Sequence, residues 1–408
     1  MITINHKARQ LRATASNGRD RVIYASAGGR SILERRGAQR QPLDDPSLAG
    51  RSFRMPAPKR LVAQLLTYAA APADRRDALA HWQLGDVDER QLRWVLQGGL
   101  GPLLHYATRK QPDTIPVAWR ERLLSETLTA RVRHAERVDV ACEVIEICAR
   151  EGVPVTLLKG ISTSEEFYPS AYLRPMADID VLVPEREYHR VESVLKAAGY
   201  RPAEQFPDAE EQHHGPPLRH PGRDVWVEVH RSLFPSQDEF SIPAVFRSES
   251  IAVNSEAHSF HGVEALRLTP ELQLAYIASS WMRDLMLSSI QPSFLASIFD
   301  ALFLVERTDA TFEWTRLMAF TGDDMATAAL HALVSYLDSR GLVETPSALR
   351  AELAARDMIV GSVQLRIIHS VLDHHLIGGR AWHHAIPLPV VGRYSIRRQW
   401  KKRVRHRH

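Results

Sequence analysis

From Leu61 onward, apolar residues recur at helical spacing. The runs "LVAQLLTYAA" and "DERQLRWVLQGGLGPLLHYAT" predict helices. A proline-bearing polar stretch near residues 111–116 separates them from "AWRERLLSETLTARVRHAERVDVACEVIEICARE". In that long segment Leu123, Leu124, Leu128, Val138, Val140, Val144, Ile145 and Ile147 suit one or two helices packed on one side. Then the texture changes. "GVPVTLLKG" reads as a strand that stops at a glycine, and "DIDVLVP" as a second strand. "EREYHRVESVLKAAGY" reads as a helix stopped by Gly199, and "DVWVEVHRSL" as a third strand. Between these last two, "RPAEQFPDAEEQHHGPPLRHPGR" is a polar loop or hairpin. Helical spacing returns from Leu268 in "TPELQLAYIASSWMRDL", "SFLASIFDALFLVERT", "FEWTRLMAFTG" and "DMATAALHALVSYLDSRG", with a last set to about Ile377. The expected class is α+β: a small α/β core with a mixed sheet, flanked by N- and C-terminal helical domains.

Composition adds boundaries. The chain has 408 residues and is 44% hydrophobic, enough for two or three domains with genuine cores. No run approaches the ~18 apolar residues of a membrane helix. The opening "MITINHKARQLRATASNGRD" lacks the apolar core of a signal peptide. Cys142 and Cys148, six apart in a helical stretch, form neither a metal pair nor a disulfide framework, so a reducing cytoplasm is expected. The sequence pI of 9.1 misleads. Residues 1–60 carry 13 Lys/Arg against 4 Asp/Glu, and residues 393–408 add eight basic residues and no acidic one. The body, 61–392, is left with a net charge of −13. An acidic body lacks the basic face of a nucleic-acid binder. The basic ends read as solvated tails, with RNA, anionic lipid or an acidic partner as the alternatives. The expected divisions are 1–55, a disordered basic segment; 56–150, helical; 151–265, the α/β core; 266–380, helical; and 381–408, a basic tail. Met55 is a candidate start, because the Arg/Ser/Gly/Ala-rich stretch before it is unlike folded protein.

The chemistry concentrates in "YLRPMADIDVLVP". In a strand, Asp178 and Asp180 point one way and Ile179, Val181 and Val183 the other. Two like charges about 5 Å apart repel by roughly 3 kcal/mol at an effective dielectric near 20, so a cation is expected between them. In "VWVEVH" Trp226, Glu228 and His230 share the face opposite Val225, Val227 and Val229. A glutamate in so apolar a strand needs a reason, since burying an unpaired carboxylate is costly. Asp178, Asp180 and Glu228 make an all-oxygen set suited to Mg²⁺, the layout of a two-metal phosphoryl-transfer site. The plainer reading is a surface carboxylate cluster paired with arginines. Upstream, "LLKGIS" runs a strand into Lys159 and Gly160, where a sharp turn lets backbone N–H groups approach a phosphate. Arg174, four residues before Asp178, can grip a phosphate with a bidentate fork. The histidines at 213, 214 and 220 and at 374, 375, 383 and 384 show no standard zinc spacing. "GGR" at 378–380 lacks the strand–turn–helix context of a phosphate loop. The tail "RYSIRRQWKKRVRHRH" could lie on anionic lipid through Tyr394, Ile396 and Trp400; a mobile tail is the simpler reading.

These elements resemble the polymerase-β-like nucleotidyltransferases, which carry a Gly-containing turn after a first strand, then hydrophobic-Asp-hydrophobic-Asp, then a third carboxylate. More closely, the chain resembles a largely uncharacterised bacterial nucleotidyltransferase family with "LLKG…YP…LRPMxDID-LV…GY…VEVH". Its elements stand here at 157–160, Tyr168-Pro169, 173–176, 178–183, Gly199-Tyr200 and 227–230. "SIFDALFLVERT…FEW" resembles that family's helical half. The resemblance covers about 60–340 and is most specific between 155 and 232. It implies a nucleotidyltransferase-type core in which Asp178, Asp180 and Glu228 are catalytic and hold two Mg²⁺ or Mn²⁺ ions. Lys159, Gly160, Ser162 and Arg174 would bind an NTP, ATP being the expected donor. An acceptor hydroxyl would attack the α-phosphate in line, pyrophosphate would leave, and Glu228 would bind the ion at that hydroxyl or act as its base. Two departures stand out. Ile161 and Ser162 follow Gly160 where the superfamily has Gly-Gly or Gly-Ser, and sixteen residues separate Ile161 from Asp178. The resemblance favours a small-molecule or peptide acceptor. Its rivals are toxin-like transfer to tRNA or protein, and a nucleotide-binding scaffold without turnover; the presence of all three carboxylates argues against simple decay.

Overall fold

A computed structural model describes residues 60–380, apart from 81, 86, 205–212, 236–245, 247, 288–290, 309–310, 321–324 and 358. The expectations about residues 1–55, Met55, the histidines 383 and 384 and the basic tail lie outside the described residues.

Five helices come first: α1 (Leu61–Ala70), α2 (Arg76–Leu79), α3 (Glu89–Gln97), α4 (Gly101–Ala107) and α5 (Val117–Arg150). The nearly continuous apolar run of α1 buries eight residues. α3 starts where the Asp88 side chain accepts the Gln91 N–H at 2.8 Å, satisfying one of the orphan donors of a helix start. The long amphipathic segment is a single helix of 34 residues, about 51 Å long. It serves two cores. Near its start Trp119 and Leu123 pack with the other helices, while near its end Val140, Val144, Ile145 and Cys148 pack under the sheet. Leu124 and Leu128, expected in the packed stripe, are exposed, because the helix crosses between the two cores there.

The middle of the chain builds one seven-stranded mixed sheet. β1 (Thr156–Leu157) is followed by α6 (Lys159–Phe167), β2 (Ile179–Leu182) and α7 (Tyr188–Ala197). Then come β3 (Arg201–Pro202), β4 (Leu218–Arg219), β5 (Trp226–His230), α8 (Ser248–Val253), β6 (Ser255–Phe260) and β7 (Val263–Leu268). The spatial order is β3-β4-β5-β2-β1-β7-β6. β2 runs parallel to β5 and antiparallel to β1. The period-two alternation sends Ile179, Val181, Val227 and Val229 into the core formed with α5 and α7, and leaves Asp180 and Glu228 on the opposite face. The β6–β7 hairpin turns at His261 and Gly262, both at positive φ as a two-residue hairpin loop requires.

Six α-helices follow, α9 (Pro270–Leu287), α10 (Leu295–Thr308), α11 (Trp314–Ala319), α12 (Met325–Ser339), α13 (Ser347–Arg356) and α14 (Ser362–Val371), the last running into a π-helical segment, Leu372–Ile377. Their apolar faces join those of α1, α3 and α4 in one core. No helix among the described residues is long and apolar enough to cross a membrane. Cys142 and Cys148 are both free thiols.

Candidate active site

Two adjacent strands place the acids. In the parallel β2–β5 pair, Asp180 stands directly beside Glu228. Asp180 is buried, Glu228 is half-buried, and Asp178 is half-buried just before β2 begins. The cation paired with Asp180 is Lys159, whose Nζ lies 3.1 Å from Asp180 Oδ1. The backbone explains how it gets there. Leu158 donates its N–H to the Asp180 carbonyl at 3.1 Å, and the chain then turns sharply into α6 through Lys159 itself, at φ 41°. A left-handed conformation is strained for a residue with a β-carbon, so packing must hold Lys159 in it. The Tyr276 ring of α9 lies 5.9 Å from Nζ.

A histidine takes the other side. His230, wholly buried at the end of β5, places Nε2 2.8 Å from Asp180 Oδ1 and 3.7 Å from Glu228 Oε2. Asp180, Glu228 and His230 each offer one ligand atom within 4.8 Å of the others, and Asp178 is not in this close group. Two further histidines arrive from the loop before β4. The Arg231 N–H donates to the His213 carbonyl at 2.9 Å, and His214 pairs with His230 as an antiparallel bridge. Three rings converge: His213–His214 at 4.6 Å, His214–His230 at 5.0 Å and His213–His230 at 5.2 Å.

Burial and charge compete here. Burial opposes the Lys159 ammonium, yet Asp180, Tyr276, Glu228 and Asp178 outweigh it and carry the pKa well above the ordinary lysine value. Burial likewise works to raise Asp180, but Lys159 and His230 overcome it and hold the carboxyl far below the usual range. For the histidines burial wins. It lowers His214 to about 4, lowers His213 further, and lowers His230 against the pull of Asp180.

The residues expected at the phosphates divide. Gly160 and Ser162 lie in the first turn of α6, both buried. Gly160 has no positive φ; its missing side chain makes room, since a Cβ there would meet Arg174 Nη1 at 2.7 Å and Met176 Sδ at 2.9 Å. Arg174 does not point an open fork at the acids. Its Nε and Nη2 donate to Asp300 Oδ1 and Oδ2 of α10 at 2.9 and 2.7 Å, and Nη1 donates to the Pro175 carbonyl at 3.0 Å. Tyr168 Oη donates to the same Asp300 Oδ1 at 2.8 Å. Because Arg174 is held by Asp300, it cannot easily give way. Gly160→Ala should therefore destabilise the chain by about 1–3 kcal/mol, as overpacking does, read as a lower denaturant midpoint. An unchanged midpoint would show that the arginine yields.

Asp300 and the histidine cluster escaped the sequence reasoning, though each left a trace. Asp300 interrupts the apolar run "SIFDALF", and His230 shares the face of Glu228 by simple alternation. Nothing in "EQHHG" indicates that His213 and His214 fold back onto β5.

Among solved structures, the chain is similar to an antigenic nucleotidyltransferase-like protein from Paracoccidioides brasiliensis. Identity is 15% and the TM-score 0.37, over 53% of this chain and 96% of that one. It is also similar to the antibiotic-resistance factor ANT(2'')-Ia, at 11% identity and a TM-score of 0.30, over 45% of this chain and 95% of that one. No curated protein matches. The family model described as uncharacterised nucleotidyltransferase matches residues 85–338, a span holding Lys159, Asp178, Asp180, Glu228, the three histidines and Asp300, and the chain belongs to that family of enzymes.

Proposed function

We propose that the chain transfers a nucleoside monophosphate from an NTP, with ATP as the expected donor, to a hydroxyl on a small molecule or peptide, releasing pyrophosphate. One observation carries this reading: Asp180 and Glu228 stand in register on adjacent parallel strands, on the face away from the sheet's apolar core. The oxygen-rich donor set, with Asp178 next to it in sequence, fits hard divalent ions. Asp178, Asp180 and Glu228 would hold two Mg²⁺ or Mn²⁺ ions, which when bound supply charge neutralisation at the phosphates and ease loss of the acceptor proton. Glu228, less buried than Asp180, would bind the ion at that hydroxyl or receive its proton. Lys159 neutralises Asp180 in the resting chain and would offer its ammonium to an arriving triphosphate. The N-terminal turn of α6, with Gly160 and Ser162, offers backbone N–H groups to the same phosphates. Arg174, a phosphate ligand by sequence reasoning, we assign as a positioning residue: its fork joins the lead-in to β2 with α10 through Asp300.

The test is incubation of the full chain with each α-labelled NTP, Mg²⁺ and a small-molecule and peptide extract of the source organism. Label should pass to an acceptor with one pyrophosphate per transfer, and Glu228→Gln should abolish it. Neither transfer nor binding with any of the four NTPs would sink the reading.

A further inference from the structure

The acids are surrounded by more nitrogen than a magnesium site calls for. His214 donates from Nδ1 to the Gly215 carbonyl, 2.8 Å away. An imidazole that donates from Nδ1 to a carbonyl turns Nε2 the other way, the arrangement in which histidines bind metals. That Nε2 lies 3.8 Å from Glu228 Oε2, and His230 Nε2 lies 3.7 Å from the same oxygen. Neither separation is a hydrogen bond. His230 Nε2 also lies 2.8 Å from Asp180 Oδ1, so two ring nitrogens and two carboxylates crowd one small space. A cation bonded to nitrogen and oxygen at about 2.0–2.2 Å each would span such gaps. The backbone holds the arrangement in place, because His214 and His230 face each other across one antiparallel bridge.

We propose that His214 and His230 complete, with Glu228 and Asp180, a mixed nitrogen–oxygen metal site that takes a first-row transition ion of the Mn²⁺, Co²⁺ or Zn²⁺ class in preference to Mg²⁺. Imidazole suits these ions, whereas Mg²⁺ keeps to carboxylates, phosphates and water. The proposal deepens the nucleotidyltransferase reading and rests on it for its catalytic consequence: the ion on the Glu228 side would be a transition ion, and Mg²⁺ would accompany the nucleotide.

Metal-stripped full chain, without nucleotide, is titrated with Co²⁺ and separately with Mg²⁺, followed by calorimetry and by visible absorption of the cobalt. The chain has 19 histidines, so Glu228→Gln provides the background for cobalt bound elsewhere. His214 is not fully buried, and His214→Ala and His214→Gln are both made, with melting curves to show that they fold. The expected result is one Co²⁺ site that loses about tenfold or more in affinity, with shifted bands, in both His214 variants, while their Mg²⁺ affinity is unchanged. Cobalt binding indifferent to His214, or an equal loss of Co²⁺ and Mg²⁺, overturns the proposal. A His214-dependent cobalt site in a chain that transfers no nucleotide upholds it and removes the reading on which its consequence rests. Transfer with a His214-indifferent site does the reverse.

Discussion

Asp300→Ala should cost the fold about 3–5 kcal/mol, the usual loss when one partner of a buried ion pair is removed. Asp300 is nearly inaccessible, and both its oxygens are used, by two nitrogens of Arg174 and by Tyr168 Oη. Removing the carboxylate leaves a guanidinium that is only 12% exposed and a buried phenol without an acceptor. Burial already opposes the Arg174 charge, and Asp300 is what reverses the balance and raises its pKa. Both groups would then be buried without compensation. Denaturant unfolding followed by circular dichroism measures the loss, and a loss under about 1 kcal/mol would show that solvent reaches the pair. Two refinements separate charge from packing. Arg174→Met combined with Asp300→Leu should recover much of the loss, since an apolar pair of similar volume often replaces a buried ion pair without penalty. Gly160→Ala should cost less in the Asp300→Ala background than in the wild type, because the freed arginine can withdraw from the new methyl.

The same pair shows where sequence reasoning ends. Arg174 and Asp300 are 126 residues apart, and no local pattern joins them. That Asp180 and Glu228 leave the apolar face was legible because alternation in a strand is local: the valines that bury one face necessarily turn the acids, and His230, to the other. Long helices were legible for the same reason, though not where α5 leaves one core before reaching the other and exposes Leu124 and Leu128. β6 was illegible. It is an edge strand with mostly half-buried or exposed side chains, so "SEAHSF" lacks the apolar alternation that marks a strand. The turn at Lys159 and Gly160 was legible, but it does not use the freedom of the glycine. The left-handed residue is the lysine, and the glycine provides room for Arg174. The convergence of His213 and His214 on His230 depends on a loop folding back, and no spacing rule anticipates it.

Asp180→Asn should remove nearly all the stabilisation that Mg²⁺ and an NTP confer. A ligand present at a hundred times its dissociation constant stabilises the native state by about 2.7 kcal/mol, and the variant should keep less than about 0.5 of it. Asparagine preserves the size of the side chain and an oxygen that can still accept from His230, so the fold should persist. Its direct cost to the apo chain should be about 1–3 kcal/mol, because the bonds from Lys159 and His230 lose the carboxylate's charge. Lys159 softens that cost. Its side chain is 32% exposed, so the ammonium can turn toward water once Asp180 no longer holds it. Thermal melts of the full chain with and without Mg²⁺ and ATP separate the two effects, since the apo curve reports the bonds and the difference reports the site. An undiminished ligand-induced shift in Asp180→Asn would move the nucleotide away from β2 altogether. Asp178→Asn is the companion measurement. If both carboxylates carry ions, it loses the shift as completely as Asp180→Asn does. If it keeps the shift, the metal is held by Asp180, Glu228 and His230, the close group that the two strands assemble without it.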